Sequence, residues 1–304
     1  MLFRSQLRRI RSATVATPCV DATASALSAL LEYRIRDRSP VTSELAALWH
    51  APAMAGRACV VLSTDEYPDV SLRLVEVTPL PRYRPFWSFG WNSFEISVAG
   101  LDALFSRVQC EIPSFFSIRG EPHALRAYPS IRAMQLEGRS GEIYYLTEET
   151  ASGISPVPPT SRCGRLFITV LGAPAIEQAR DFYAKHFELL ARPIRASTGQ
   201  VVQRAWGGTP DGTHPITLLP LSESANAIEM NGYVREGIVN RLRTDGELPP
   251  GNSLVSLEVD RLEALPEHLS LTVGSPPDAL YAGCRVGFFI GPAGEWVELI
   301  ERQS

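Results

Sequence analysis

The stretch that most constrains this chain is its C-terminal ribbon, Gly291-Pro292-Ala293-Gly294-Glu295-Trp296-Val297-Glu298-Leu299-Ile300-Glu301. A Gly-Pro-x-Gly turn feeds a strand whose side chains alternate between two faces. Trp296, Glu298 and Ile300 fall on one side, Val297 and Leu299 on the other. Both sides are largely apolar, so Glu298 is expected among buried groups. A carboxylate there needs a partner, a metal or a raised pKa. Almost the same ribbon occurs earlier, as Ser140-Gly141-Glu142-Ile143-Tyr144-Tyr145-Leu146-Thr147-Glu148, and aligning the glycines puts Tyr145 where Glu298 stands.

The ribbons belong to a longer repeat. Phe94-Glu-Ile-Ser-Val-Ala-Gly-Leu-Asp-Ala-Leu104 matches Val255-Ser-Leu-Glu-Val-Asp-Arg-Leu-Glu-Ala-Leu265. Leu101 pairs with Leu262 (262 − 101 = 161) and Gly141 with Gly294 (294 − 141 = 153). Two landmarks in one order at nearly one offset indicate a duplication, with an eight-residue indel (161 − 153 = 8) assigned to Ser114–Pro129. Each half divides again. The second reads as an apolar run at Leu166–Leu171, a helix carrying Ile176, Ala179, Tyr183 and Phe187, and strands at Val201–Trp206, Ile216–Leu221 and Ala227–Tyr233. A further unit follows, with a strand at Leu254–Val259, a short helix at Leu262–Leu265, and strands at Val286–Ile290 and the Trp296 ribbon. The first half reads likewise, with a strand at Thr14–Thr17 and a second unit from Ser93. The expected organisation is a basic lead-in at 1–13, a first module at 14–148, a Pro/Ser/Thr-rich linker at 149–164 and a second module at 165–304. The fold class is α+β, with four βαβββ units in two paired modules.

Composition narrows the function classes. A net charge of −4 and a pI near 5.8 leave no electrostatic footprint for nucleic acid. Five scattered cysteines without a CxxC pair do not make a disulfide framework, and the expected compartment is the cytoplasm. No apolar run reaches the ~18 residues of a membrane helix.

Three stretches carry a family resemblance: Ala179-Arg-Asp-Phe-Tyr183, Leu257-Glu-Val-Asp-Arg-Leu262 and Gly291-Pro-Ala-Gly-Glu-Trp-Val-Glu-Leu299. Together with the four-unit repeat, they resemble the vicinal oxygen chelate superfamily of glyoxalase I, extradiol dioxygenases and bleomycin-resistance proteins. The resemblance implies that paired units curl into cups, and that a divalent metal is commonly held by first- and last-strand residues. Carried over by position, Glu298 and Glu229 match last-strand ligands of the second half. The first-strand positions fall near Ile168 and on Leu254, which cannot bind a metal. In the first half the positions fall near Glu76, Ser93 and Tyr145. No metal site is assigned on this set, and no cofactor is called for, a divalent metal staying open.

On this reading Glu229 and Glu298 face one cup of the second half as a carboxylate pair, one holding a proton while the other accepts one. His214 starts a strand able to edge that cup. Arg204 and Trp206, two apart on an expected strand, are placed to bind an anionic aromatic ligand, joined by Trp296, Tyr145 and His50 as ligand-binding candidates. The leading function is a metal-independent isomerase or lyase acting on a hydrophobic aromatic or carbonyl compound. Sequestration of such a compound without chemistry, and metal-dependent dioxygenation, are the alternatives. The partner is a small molecule, with a homodimer compatible, and neither nucleic acid nor membrane is expected.

Overall fold

The computed structural model describes residues 5–303 except 113, 127, 152–156, 159, 161 and 210. Part of the expected lead-in (1–4), part of the linker (152–156, 159 and 161) and Ala127 of the indel stretch therefore lie outside the described residues. Four units follow one another. The first comprises β1 (Leu7–Thr17), α1 (Val20–Leu31), β2 (Arg34–Pro40), α2 (Ser43–Leu48), β3 (Ala58–Ser63) and β4 (Ser71–Glu76). The second comprises β5 (Gly90–Val98), α3 (Leu101–Cys110), β6 (Ser117–Ala124), β7 (Ile131–Glu137) and β8 (Ile143–Glu149). The third comprises β9 (Cys163–Ala173), α4 (Ile176–His186), β10 (Arg195–Thr198), α5 (Gln200–Ala205), β11 (Thr213–Pro220) and β12 (Ala227–Gly232). The fourth comprises β13 (Gly251–Val259), β14 (Thr272–Gly274), β15 (Val286–Ile290) and β16 (Trp296–Glu301). Its helix is reduced to two 3-10 turns, and β14 has three residues where β6 has eight, so this unit is the shorter of the two between the repeat landmarks.

Two corrections concern local structure. The basic lead-in is strand: β1 starts at Leu7, and Arg8, Arg9 and Arg11 are neutralised by Glu258, with Asp260, Asp69 and Glu223 alongside. The segment Val201–Trp206 is helical, not extended. Gln200–Ala205 forms α5, and the isolated apolar pair Val201-Val202 is buried as one side of a helical turn.

The larger finding is which units share a sheet. One eight-stranded sheet runs β14-β15-β16-β13-β1-β4-β3-β2, the other β10-β11-β12-β9-β5-β8-β7-β6. The first unit therefore joins the fourth through antiparallel β1 and β13, and the second joins the third through β5 and β9. The units do not pair within each half. Short connections favour sequential neighbours, but here β1 and β13 pair along most of their length and bury Ile10, Ala13 and Val15 of one and Leu254, Val255 and Leu257 of the other.

The sheets meet across a quasi-twofold seam. Trp91 Nε1 donates to the Trp296 carbonyl at 2.8 Å, while the Asn252 amide spans the Ile143 backbone, accepting from its N–H at 2.8 Å. These contacts are equivalent, because 252 − 91 = 161 and 296 − 143 = 153, the two offsets of the repeat. The glycine turns are equivalent too. Gly141 and Gly294 have φ of 79° and 77°, a conformation that glycine adopts without cost. Glu142 and Glu295 fold back onto the turns, accepting from Ser140 N and Ala293 N, and lie where a Cβ on Gly138 or Gly291 would stand. The repeated glutamate of the motif is thus a turn cap. Among the described residues no helix is long and apolar enough to cross a membrane.

Because each sheet draws one unit from each half, neither half holds a complete sheet. Residues 1–150 and 162–304 expressed separately are expected to be insoluble or unfolded by circular dichroism, and co-expression to restore a soluble complex. A cooperatively folding isolated half would contradict this.

Candidate functional site

Each sheet curls around a concave face, and register fixes which side chains share it. In the first cup Thr14 pairs with Arg73 across β1 and β4, and Ser256 with Glu298 across β13 and β16. In the second cup Glu95 pairs with Tyr145 across β5 and β8, and Val170 with Glu229 across β9 and β12. The repeat relates the two sets. Thr14 corresponds to Val170 and Arg73 to Glu229 (170 − 14 = 229 − 73 = 156), while Glu95 corresponds to Ser256 (256 − 95 = 161) and Tyr145 to Glu298 (298 − 145 = 153). Four equivalent positions thus carry Thr, Arg, Ser and Glu in one cup, and Val, Glu, Glu and Tyr in the other.

The first cup is closed around an ion pair. Arg73 Nη2 lies 3.0 Å from Glu298 Oε2, and both side chains are 0% exposed. The guanidinium also donates to Thr14 Oγ1 at 2.9 Å and to the Tyr281 hydroxyl at 2.6 Å, with the Trp49 ring 4.8 Å away. Glu298 accepts from Tyr281 at 2.7 Å and from Trp49 Nε1 and Ser256 Oγ. Such a carboxylate is fully paired, and desolvation is offset by charge-assisted hydrogen bonds. His50 sits outside this network, exposed, bonded to Thr272 and stacked on Phe288 at 5.9 Å. Trp296 is buried beneath Arg243, 5.1 Å from its ring.

The second cup is built of the same strands but differs in filling. Thr147 donates to Glu95, and Asn231 Nδ2 donates to Glu229 Oε1 at 2.8 Å. Asn231 Oδ1 is bonded to His214 Nε2, and Gln203 lies 3.4 Å from His214 Nδ1. Burial holds the His214 imidazole below its usual range, so it stays neutral. Burial and the neighbouring charge of Glu229 push Glu95 up to about 8, and burial also raises Glu229. Burial, with both carboxylates nearby, raises the Tyr145 phenol. Glu229 and Tyr145 nonetheless retain solvent-accessible surface, as groups on the floor of an opening do.

The reason for that opening is legible in the repeat. Trp49, which seals the first cup, is the C-cap of α2, and Trp206 is the C-cap of α5, so each cup keeps a tryptophan there; Trp206 Nε1 donates to the Phe86 carbonyl and not to a carboxylate. Tyr281, buried against Arg73, corresponds to Tyr128 (281 − 128 = 153), which is 62% exposed. One plug of the first cup is therefore missing from the second. Its walls are aromatic: Trp206, Tyr233 and Phe86 cluster with Trp87, Phe89 and Tyr145.

The expected site is corrected accordingly. Glu229 and Glu298 lie in different sheets and cannot form a pair; the partner of Glu229 is Glu95. His214, Tyr145 and Trp206 do gather at the second cup, whereas Glu298, Trp296 and His50 belong to the first. Arg204 is exposed on α5 and reaches the Arg119 carbonyl at 3.4 Å, so it does not share a strand face with Trp206. The position read at Glu76 is Arg73, and Glu76 instead accepts from the Ala58 N–H at the edge. Glu95 was within reach of sequence reasoning, since the matched segments already align it with Ser256. Arg73 stands out in Leu72-Arg-Leu-Val as the one charge in an apolar run.

Neither donor set suits the metal that this fold commonly holds. In the first cup the guanidinium occupies the side of Glu298 that a cation would need. The second lacks any imidazole facing Glu95 and Glu229 directly, and among the described residues no three His, Cys, Asp or Glu side chains converge. Zinc and non-haem iron sites need three such ligands.

No family model matches the sequence, and no curated protein does. The structure is similar to solved ones. Glyoxalase I from Zea mays is 14% identical, with 96% of this chain and 92% of that chain covered at a TM-score of 0.62. A Bacillus subtilis protein provisionally assigned as a dioxygenase is 9% identical, with 99% and 87% covered at 0.64. The chain has the fold of these proteins.

Arg73→Met leaves the Glu298 carboxylate buried without its cation. It is expected to lower unfolding free energy by roughly 3–5 kcal/mol in urea titrations. The double change Arg73→Met with Glu298→Leu is expected to recover most of that loss. A double variant weaker than the single would show that the pair itself stabilises the cup.

Proposed function

We propose that the second cup is the working site of a small-molecule enzyme, a metal-independent isomerase or lyase using Glu95 and Glu229. The observation that carries this reading is the carboxylate pair itself, with both members raised by burial, Glu95 also by the charge of Glu229, and with Glu229 keeping solvent-accessible surface. Glu229, with Oε1 fixed by the Asn231 amide, is the base; its other oxygen removes a proton from the carbon beside a carbonyl. Glu95, protonated at neutral pH, gives its proton to the carbonyl oxygen as the enol forms. With a hydroxy-carbonyl substrate, the Glu229 proton then goes to the former carbonyl carbon and the second hydroxyl of the enediol gives its proton to Glu95, which completes the isomerisation with both carboxyls restored. Paired acids of this type contribute on the order of 10²–10⁴-fold each.

The aromatic wall favours a second reading, sequestration of a flat compound without turnover. Proton exchange separates the two. In deuterated buffer, a panel of aryl ketones and hydroxy-carbonyl compounds is expected to lose an α-proton signal in the presence of the protein. Glu229→Gln is expected to reduce that exchange by at least 10²-fold while changing ligand affinity less than tenfold, or ~1.4 kcal/mol. Binding without exchange for every compound would leave sequestration as the function.

The raised Glu95 also makes a stability prediction. Its folded-state value of about 8 exceeds the ordinary 4.5, so the folded chain binds this proton more tightly than the unfolded one. The associated stability is present below pH 4.5 and is lost as pH rises towards 8. Glu95→Gln is expected to melt close to the parent at pH 4.5 and several degrees above it at pH 9, by calorimetry. A constant difference between those pH values would show that Glu95 titrates normally.

A further inference from the structure

The two cups differ in one respect that bears on the ligand. In the first, a guanidinium already lies over the concave face. Arg73 is held by Glu298 on one side, by the hydroxyls of Thr14 and Tyr281, and by the Trp49 ring. In the second, the equivalent of Arg73 is Glu229, so a cation has been exchanged for a second anion. Nothing replaces the lost charge. Thr147 and Asn231 are the side chains bonded to the pair, both neutral. Arg204, on the nearest helix, is exposed and turned to the Arg119 carbonyl.

The remaining polar groups of this cup are short of donors. Gln135 pairs with Tyr145 across β7 and β8 and so lies on the same face. It is 4% exposed, and its Oε1 has no partner. Ser93, two residues before Glu95 on β5, is fully buried beside the Tyr145 hydroxyl. A buried acceptor without a donor is destabilising, and here one such atom shares the face of two carboxylates. The aromatic wall of Trp206, Tyr233 and Tyr145 presents the π-faces that stabilise a desolvated cation.

We infer that the second cup binds an organic cation, a small molecule bearing a guanidinium, amidinium or primary ammonium group. The cationic group donates to Glu229, Glu95 and Gln135 and stacks on the aromatic wall, as the Arg73 guanidinium does in the first cup. The inference rests on the second cup being the working site, and it deepens the sequestration reading, in which both carboxylates are free to hold the cation.

Three compounds of one shape test it: benzamidine (a cation), benzamide (neutral) and benzoate (an anion). Isothermal titration with the full chain is expected to show benzamidine binding at least tenfold tighter than either of the others. Near pH 7 binding is expected to release a proton from Glu95, seen as a dependence of the heat on buffer ionisation, and the release fades above pH 9. The titratable groups around Glu95 are Glu229 on β12 and Tyr145 on β8; His214 on β11 is bonded to Asn231, behind Glu229, and Tyr233 lies beyond β12. Of these, Glu229 is the other carboxylate, and its charge works in the same direction. Glu229→Gln and Glu95→Gln are each expected to weaken benzamidine at least tenfold. Equal binding of benzamide or benzoate, no binding of benzamidine, or a benzamidine affinity indifferent to these substitutions would overturn the inference. Its failure is separable from that of the catalytic reading. Cation binding without α-proton exchange keeps the inference and removes the chemistry; exchange on neutral ketones with no gain from a charged group does the reverse.

Discussion

The ion pair between Arg73 and Glu298 is the constraint around which the molecule is arranged. Two opposite charges without solvent contact are tolerated only when every remaining lone pair and proton is matched. Trp49, Tyr281, Thr14 and Ser256 supply those matches, and they come from α2 and its C-cap, the loop before β15, β1 and β13. The pair therefore ties the first unit to the fourth at their most buried point. It also fills the concavity, so one of the two cups that the fold provides becomes core.

That closure gives meaning to the differences in the other cup. Duplicated units begin with the same cavity and the same strand positions. Where one copy holds its cation internally and seals it with Trp49 and Tyr281, the other has Glu229 at the cation's position and an outward Tyr128. It keeps two carboxylates and a neutral histidine relay in a partly open site. Buried acids without a countercharge are destabilising, and a fold retains such groups where binding or proton transfer uses them. The first cup is closed as core, and the second keeps its carboxylates at a partly accessible face.

Much of the architecture could be read locally. The glycine turns at Gly141 and Gly294 require positive φ whatever surrounds them, and the helix of Ile176, Ala179 and Tyr183 shows its spacing directly. The two repeat offsets, 153 and 161, hold through the seam contacts of Trp91 and Asn252. Other elements could not be read this way. Val201-Val202 is too short to distinguish strand from helix by periodicity, and the arginines of β1 look like a solvated tail until Glu258, some 250 residues away, is brought beside them.

What the sequence determined by itself is the set of units: four repeats, their turns, and glutamates placed among apolar residues. Those follow from backbone sterics and side-chain alternation, which act over a few residues. What the tertiary structure alone decided is which units share a sheet, and hence which glutamate meets which partner. Strand pairing is a long-range choice between surfaces of similar hydrophobicity, and no local pattern distinguishes joining a unit's neighbour from joining the unit at the far end of the chain. That choice placed Arg73 against Glu298 and Glu95 against Glu229, and so separated a sealed core from an open site.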